Sequence, residues 1–264
     1  RQMNQLHAIY HFIRHLIVSN KRGHGVHSPF VYQFVKNVID NQAQYYIFQD
    51  IESLRAKLLL TDQEIAVTDL GAGSRTTKKS KRKINAIAKS ALKPKKQAQL
   101  LFRIANYFRP KNSIELGTSF GLSSLYLSQW SAKNQLTTIE GSPNIAKVAQ
   151  LNFDKLNVKN ITSLVGDFNH HLPTLLKQLK TVDLVYFDGN HKEEATLNYF
   201  ETCVPFSHNN SVFIFDDIYW SKGMTNAWKK IKADSRVTLT IDTYYFGLVF
   251  FRKEQPKEDF TVYH

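Results

Sequence analysis

The sequence predicts a doubly wound α/β domain with a mostly parallel sheet, preceded by a helical extension. Three observations carry this. From Gln97 onward, short apolar runs alternate with segments of helical spacing, the pattern of a sheet covered on both faces. The runs at 113–116, 182–188 and 212–216 are apolar rather than alternating, as in strands buried on both sides. Residues 3–60, by contrast, show helical periodicity with no strand between. A hydrophobic content of 42% with 7 prolines argues against a disordered chain of 264 residues.

In order, Leu6, Ile9, Tyr10, Ile13, Leu16 and Ile17 recur at helical spacing and predict an amphipathic helix over 3–18. Ser28-Pro29 reads as an N-cap followed by proline at the first helical position, with Phe30, Val31, Phe34, Val35, Val38 and Ile39 on the buried face of a second helix. A third helix is expected over 48–60. These helices form a cap over residues 1–64 that covers a sheet edge, closes over the site or makes a homodimer contact.

Residues 65–96 form a connection dominated by charge. Between Leu70 and Ile114 there are thirteen Lys or Arg and no acid, ten of them between Arg75 and Lys96. Outside that stretch basic and acidic residues balance at 22 each, so the net charge of +13 is a local surface. Residues 65–83 read as a strand-like piece and a basic loop, because the cationic run cannot pack as a helix against a sheet. Such a surface suits a solvated face or an acidic or nucleic-acid partner. Asp69-Leu70-Gly71-Ala72-Gly73-Ser74 imitates a cofactor loop, but the residues after it lack helical apolar spacing.

The main domain spans 97–264. A helix from Gln97 ends at Arg109-Pro110. Strands then follow at 113–116, 136–140, 161–165, 182–188 and 212–216, with helices at 144–156, 172–179, 193–200 and 220–233 between and after them. Val237–Ile241 and Phe246–Phe251 close the chain as an antiparallel pair, because their connection is short.

The first of these strands leads into Glu115-Leu116-Gly117-Thr118-Ser119-Phe120-Gly121, a glycine turn that opens a helix. Glycines suit a close approach of the chain to a ligand, and the helix N-terminus offers free N–H groups. Glu115 at the strand end does not welcome a phosphate, which disfavours a nicotinamide dinucleotide and favours a cationic cofactor without phosphate, S-adenosylmethionine. Functional groups in such sheets gather at the C-terminal strand ends. Here those ends read Glu115, Glu140, Asp167, Asp188 and Asp216-Asp217, all acidic in a basic protein. Glu140 is spaced to hold a ribose diol, Asp167 to accept from an adenine amino group, and Phe168 to supply an apolar wall. The bland alternative for each acid is a helix N-cap or a solvated loop.

These motifs, with Thr-Ile-Glu-Gly-Ser, Gly-Asp-Phe, Asp-Leu-Val-Tyr-Phe-Asp-Gly-Asn-His and Ile-Phe-Asp-Asp, resemble the class I S-adenosylmethionine-dependent methyltransferases, and more narrowly the catechol O-methyltransferase-like group. The resemblance covers 97–251. It implies a Rossmann-like, seven-stranded sheet with one antiparallel strand. It also implies cofactor contacts at Glu115, Gly117, Thr118, Ser119, Gly121, Glu140, Gly141, Asp167, Phe168 and Asp188. The family's metal positions match Asp188, Asp216 and Asp217, where an Asp replaces the usual Asn. Three carboxylates suit Mg²⁺ or Ca²⁺. Where the family carries a catalytic Lys, this chain has His191; an unperturbed imidazole titrates near neutrality and suits a general base, so His191 and Asp188 are the catalytic candidates. The acceptor is then a small hydroxylated molecule. A macromolecular acceptor held by 75–96, and a cofactor-binding module without catalysis, are the alternatives.

One cysteine, Cys203, excludes an internal disulfide framework. No apolar run approaches the roughly 20 residues that span a bilayer, so no membrane partner is expected. Without an oxidised scaffold or a leader pattern, the cytoplasm is the expected compartment.

Overall fold

The computed structural model describes residues 5–19, 27–69 and 78–263. The chain divides into two compact units, one of residues 1–41 and 179–264, the other of residues 42–178. The first unit opens with α1 (Gln5–Val18). Its apolar stripe does not face inward as core cover: Leu6, Ile9, Tyr10, Ile13, Leu16 and Ile17 are all exposed, whereas Ala8, His11 and His15 are buried. Polar contacts turn the helix this way round. His7 Nε2 lies 2.9 Å from Thr225 Oγ1, His15 Nε2 lies 3.1 Å from the Val262 carbonyl, and Tyr244 donates its hydroxyl to the Ala8 carbonyl. The His11 ring stacks on Tyr219 with centroids 4.5 Å apart.

The next helix, α2 (Pro29–Phe34), starts as the sequence predicts, with the Ser28 hydroxyl accepting from Val31 N–H and Pro29 in the first turn. It runs into a π-helical turn over Val35–Ile39, and Val31, Phe34, Val35, Val38 and Ile39 are buried.

The second unit begins with α3 (Tyr46–Leu60). Strands β1 (Glu64–Asp69) and β2 (Lys78–Lys83) then pair antiparallel, with Ile65 opposite Arg82 and Val67 opposite Ser80. The basic run over 78–83 is therefore a strand and not a loop. Backbone pairing holds it although Ser80, Lys81, Arg82 and Lys83 are all exposed. The glycine-rich stretch 70–74 and Arg75 lie outside the described residues. Helices α4 (Ile84–Ala91) and α5 (Lys95–Phe108) follow. Arg109 takes a left-handed φ of 51° and ends α5 just before Pro110, which cannot continue a helix.

Strand β3 (Asn112–Leu116) leads through the glycine turn to α6 (Leu122–Ser128), then β4 (Gln135–Glu140), α7 (Pro143–Lys155), β5 (Ile161–Val165) and α8 (Phe168–Leu179). The three strands are parallel in the order β3-β4-β5. Phe48, Ile51, Phe102, Phe120, Tyr126 and Phe153 belong to the core that covers them.

The first unit resumes with β6 (Leu184–Phe187), α9 (Glu193–Cys203), a 3₁₀ turn at Val204–Phe206, β7 (Val212–Asp216), α10 (Lys222–Ala233), β8 (Leu239–Asp242), β9 (Phe246–Phe250) and β10 (Glu258–Thr261). Strand β6 runs parallel to β7, β9 antiparallel to both β7 and β8, and β10 parallel to β8. Every residue of β6, β7, β8 and β9 is buried. The fold is Rossmann-like with one antiparallel strand. It has eight strands where seven were expected. The extra one, β10, is four residues long and reads Glu-Asp-Phe-Thr, a charged edge that periodicity does not reveal. Among the described residues no helix is long and apolar enough to cross a membrane.

Candidate functional site

In the second unit the turn after β3 is built from backbone conformations that most side chains resist. Gly117 has φ 104°, Ser119 φ 48° and Gly121 φ 83°. Gly117 N–H donates to the Ile139 carbonyl and Gly121 N–H to the Thr118 carbonyl. A Cβ on Gly121 would lie 2.4 Å from the Phe153 ring, so this glycine lets α7 pack against the turn as well as capping α6. Asn152 adds a buried hydrogen bond to the Phe120 carbonyl.

Glu140 clamps this turn from the end of β4. One carboxylate oxygen accepts from Ser119 N–H at 2.9 Å, the other from Ser142 N–H at 3.0 Å. Burial raises its carboxyl above the usual range, an effect that the N–H groups of Ser142, Ser119 and Gly141 offset in part. A carboxylate has about four acceptor sites, so with these three N–H groups bound a lone pair remains. Glu140 can therefore hold the turn and still accept from a diol.

Glu115 is fully buried. Its Oε2 accepts from the hydroxyls of Ser124 and Thr138, the latter at 2.6 Å. Burial pushes its carboxyl up to about 7, although hydroxyls of Ser123, Ser124 and Thr138 favour the charged form. Thr118 is also buried, its hydroxyl 2.5 Å from that of Thr138. Thr138 and Ser142 entered the sequence reading only within Thr-Ile-Glu-Gly-Ser, with no role of their own. The structure sets Thr138 directly across from Glu115.

At the end of β5, Gly166 has φ 147°, and Asp167 is exposed with Oδ1 accepting from Asn169 N–H at 2.7 Å. Asp167 thus serves the first turn of α8, whose first residue is the half-buried Phe168.

In the first unit, Asp188, His191 and Asp216 come together. Each offers one ligand atom, and these atoms lie within 4.8 Å of one another. Asp216 ends β7 and is fully buried, while Asp188 follows β6 and accepts from the Tyr186 hydroxyl at 3.2 Å. A left-handed Asn190, φ 53°, folds the chain back so that His191 Nε2 lies 3.5 Å from Asp188 Oδ1. Asp217 is left-handed too, φ 53°, with its N–H bound to the Tyr245 carbonyl and Oδ2 3.9 Å from His191 Nε2. Asp217 therefore lies beside the imidazole, and His191 joins the two carboxylates in the group able to hold an ion.

The glycine turn of the second unit carries an acidic clamp, and the first unit carries carboxylates at its strand ends. Residues 114–218 match the family model described as a methyltransferase domain. In particular, the chain is similar to a catechol O-methyltransferase of Niastella koreensis, 26% identical over 125 residues, which are 46% of this chain and 56% of that protein. The chain thus spans little more than half the length of that curated relative. Solved structures share the fold. An O-methyltransferase of Streptomyces achromogenes involved in tomaymycin synthesis, in complex with S-adenosylmethionine, is 21% identical with a TM-score of 0.54, covering 63% of this chain and 89% of its own. An O-methyltransferase of Bacillus cereus, in complex with S-adenosylhomocysteine, is 18% identical with a TM-score of 0.53, covering 84% and 97%.

Proposed function

We propose that this chain is an S-adenosylmethionine-dependent methyltransferase that methylates an oxygen of a small hydroxylated acceptor. The observation that carries this reading is the Glu140 carboxylate bound to Ser119 N–H across the glycine turn. The clamp presets a left-handed Ser119 and leaves acceptor capacity for a ribose diol, while Gly117, Gly141 and Phe168 stand at the same strand ends. S-adenosylmethionine supplies a methyl group on a sulfonium and brings no phosphate to the turn. Glu115 and Thr118 act beneath the turn, holding its shape through Thr138 and Ser124.

The acceptor hydroxyl must lose its proton, and His191 is the group to take it. Asp188 and Asp217 flank its Nε2 and stabilise the imidazolium that forms. The donor set of Asp188, Asp216 and His191 also fits a divalent ion; with one imidazole and two carboxylates it suits Mn²⁺ as well as Mg²⁺ or Ca²⁺. Such an ion lowers the pKa of a bound hydroxyl. If His191 Nε2 is a ligand it cannot be the base, so the two roles are alternatives.

A macromolecular acceptor has one observation in its favour, the exposed Lys81 and Arg82 on β2.

Calorimetric titration with S-adenosylhomocysteine, alone and then with Mg²⁺ or Mn²⁺ plus a catechol, tests the reading. Glu140→Ala is expected to weaken cofactor binding by roughly 10- to 100-fold, as loss of hydrogen bonds to a charged acceptor does. His191→Ala is expected to abolish methyl transfer to catechol while cofactor binding stays. Absence of cofactor binding to the unsubstituted chain overturns the proposal, and binding without turnover on any hydroxylated acceptor leaves the non-catalytic module.

A further inference from the structure

The outward face of α1 has no part in the proposed methyl transfer. Leu6 is 81% exposed, Ile9 53%, Ile13 52% and Ile17 78%, with Tyr10 and Leu16 beside them. These positions form one stripe along a 14-residue helix. Such contiguous apolar exposure marks an interaction surface. The orientation is built in, because the opposite face is tied down once per turn. His7 meets Thr225, His11 stacks on Tyr219, and His15 meets the Val262 carbonyl and, at 3.4 Å, Asp242.

Charge decides the occupant. Exposed Arg14 on α1 and Lys222 and Lys229 on α10 lie close enough to depress the protonation of His7 or His11. No acid occurs among residues 1–39. An apolar stripe rimmed by cations, with no acid on the helix itself and Asp242 buried on its docked side, suits an anionic lipid surface, where the helix lies in the interface plane. A second copy fits poorly: a two-fold contact through α1 would set this cationic rim near its own copy, with no acid on the helix and a net charge of +13 on each chain. We propose that α1 is a docking element for the surface of an anionic bilayer, its apolar face entering the headgroup boundary. The expectation of no membrane partner rested on the absence of a spanning run, which does not bear on a helix lying in the interface plane.

The test uses the full chain in sedimentation with vesicles of phosphatidylcholine alone and of phosphatidylcholine mixed with phosphatidylserine, with light scattering to follow oligomeric state. Binding is expected to anionic vesicles and to be roughly tenfold weaker to neutral ones. Ile9→Ser/Ile13→Ser keeps the charge and is expected to cut anionic binding by roughly tenfold or more. Lys222→Gln/Lys229→Gln leaves α1 untouched and is expected to weaken it several-fold. Circular dichroism checks that each variant is folded. The proposal is overturned if the chain ignores anionic vesicles. It is equally overturned if the serine variant binds like the wild type, since the basic segment then suffices, or if that variant dissolves a dimer, since a second copy then covers the face.

Discussion

The Glu115 carboxyl, pushed up to about 7 from 4.5, reports that burial penalises its charged form more than the hydroxyls of Ser124 and Thr138 favour it. A raised carboxyl pKa makes a stability contribution that is fully present below the unfolded value and is lost as pH rises through the folded one. The window therefore runs from 4.5 to about 7, and the shift corresponds to about 3 kcal/mol. Glu115→Gln should remove this slope. Denaturant unfolding measured at about pH 5 and about pH 8 is expected to show wild-type stability falling by up to ~3 kcal/mol more than that of the variant. Equal losses in both proteins would show that the carboxyl is not held neutral. The same residue shows how far a sequence reaches at this scale. An acid at a strand end before a glycine turn was legible, as was Glu140 some twenty residues on. That the Glu115 side chain turns onto Thr138 was not, because the cross-strand partner depends on a register that no single strand encodes. The approach of His191 to Asp188 and Asp216 was only half legible. The residues were visible, but the left-handed Asn190 that folds the chain back was not.

Among elements, those with a cap and one apolar stripe were read closely. Helix α2 has its Ser28-Pro29 start, and α5 its Arg109-Pro110 stop. Elements held by backbone or by polar side chains escaped the reading, as β2, β10 and the orientation of α1 show. Periodicity finds the two faces of α1 but not which one docks, and the answer lies in three histidines meeting Thr225, Tyr219 and Asp242. That docking is expected to depend on pH. Burial first, then Lys222 and Lys229, lowers the His7 pKa below 6.5; burial first, then His7, Arg14 and Lys229, does the same for His11, against the pull of Asp242. Burial alone would raise the Asp242 carboxyl, but His15, Tyr219 and the Tyr244 N–H hold it below its ordinary value. A depressed histidine pKa favours the docked helix above about 6.5, and this support is lost as pH falls through the folded value. Amide hydrogen exchange, corrected for intrinsic rates, is expected to show less protection over residues 5–18 at about pH 5.5 than at about pH 7.5. His7→Asn/His11→Asn should flatten the difference. Unchanged protection in the wild type would mean that the histidines stay docked when charged.

For the whole molecule, the net charge of +13 comes from residues 70–114, while Glu115, Glu140, Asp167, Asp188 and Asp216 are acids. A charge so placed acts on encounter and partner choice rather than on the fold. The small-acceptor and macromolecular readings differ here in a measurable way. If the acceptor is small, methyl transfer needs nothing from β2, whose Lys81 and Arg82 are exposed. Lys81→Ser/Arg82→Ser should then leave turnover of a catechol within about twofold of wild type. Its rate should vary little with salt, since Debye screening weakens long-range attraction of charged partners and a neutral acceptor has none. Lys83 is left in place, because its ammonium is bound to Asp62 at 2.9 Å and anchors the end of the hairpin. If the acceptor is RNA or DNA, each neutralised phosphate contact contributes roughly one unit to the slope of log affinity against log salt. The double variant would then bind a generic oligonucleotide with a slope shallower by up to about two units and would lose methyl transfer to it in step. A shallower slope with unchanged catechol turnover assigns the basic strand to non-specific attraction and keeps catalysis with the small acceptor. Loss of both activities together would move the acceptor site onto β2 and displace the reading built on His191.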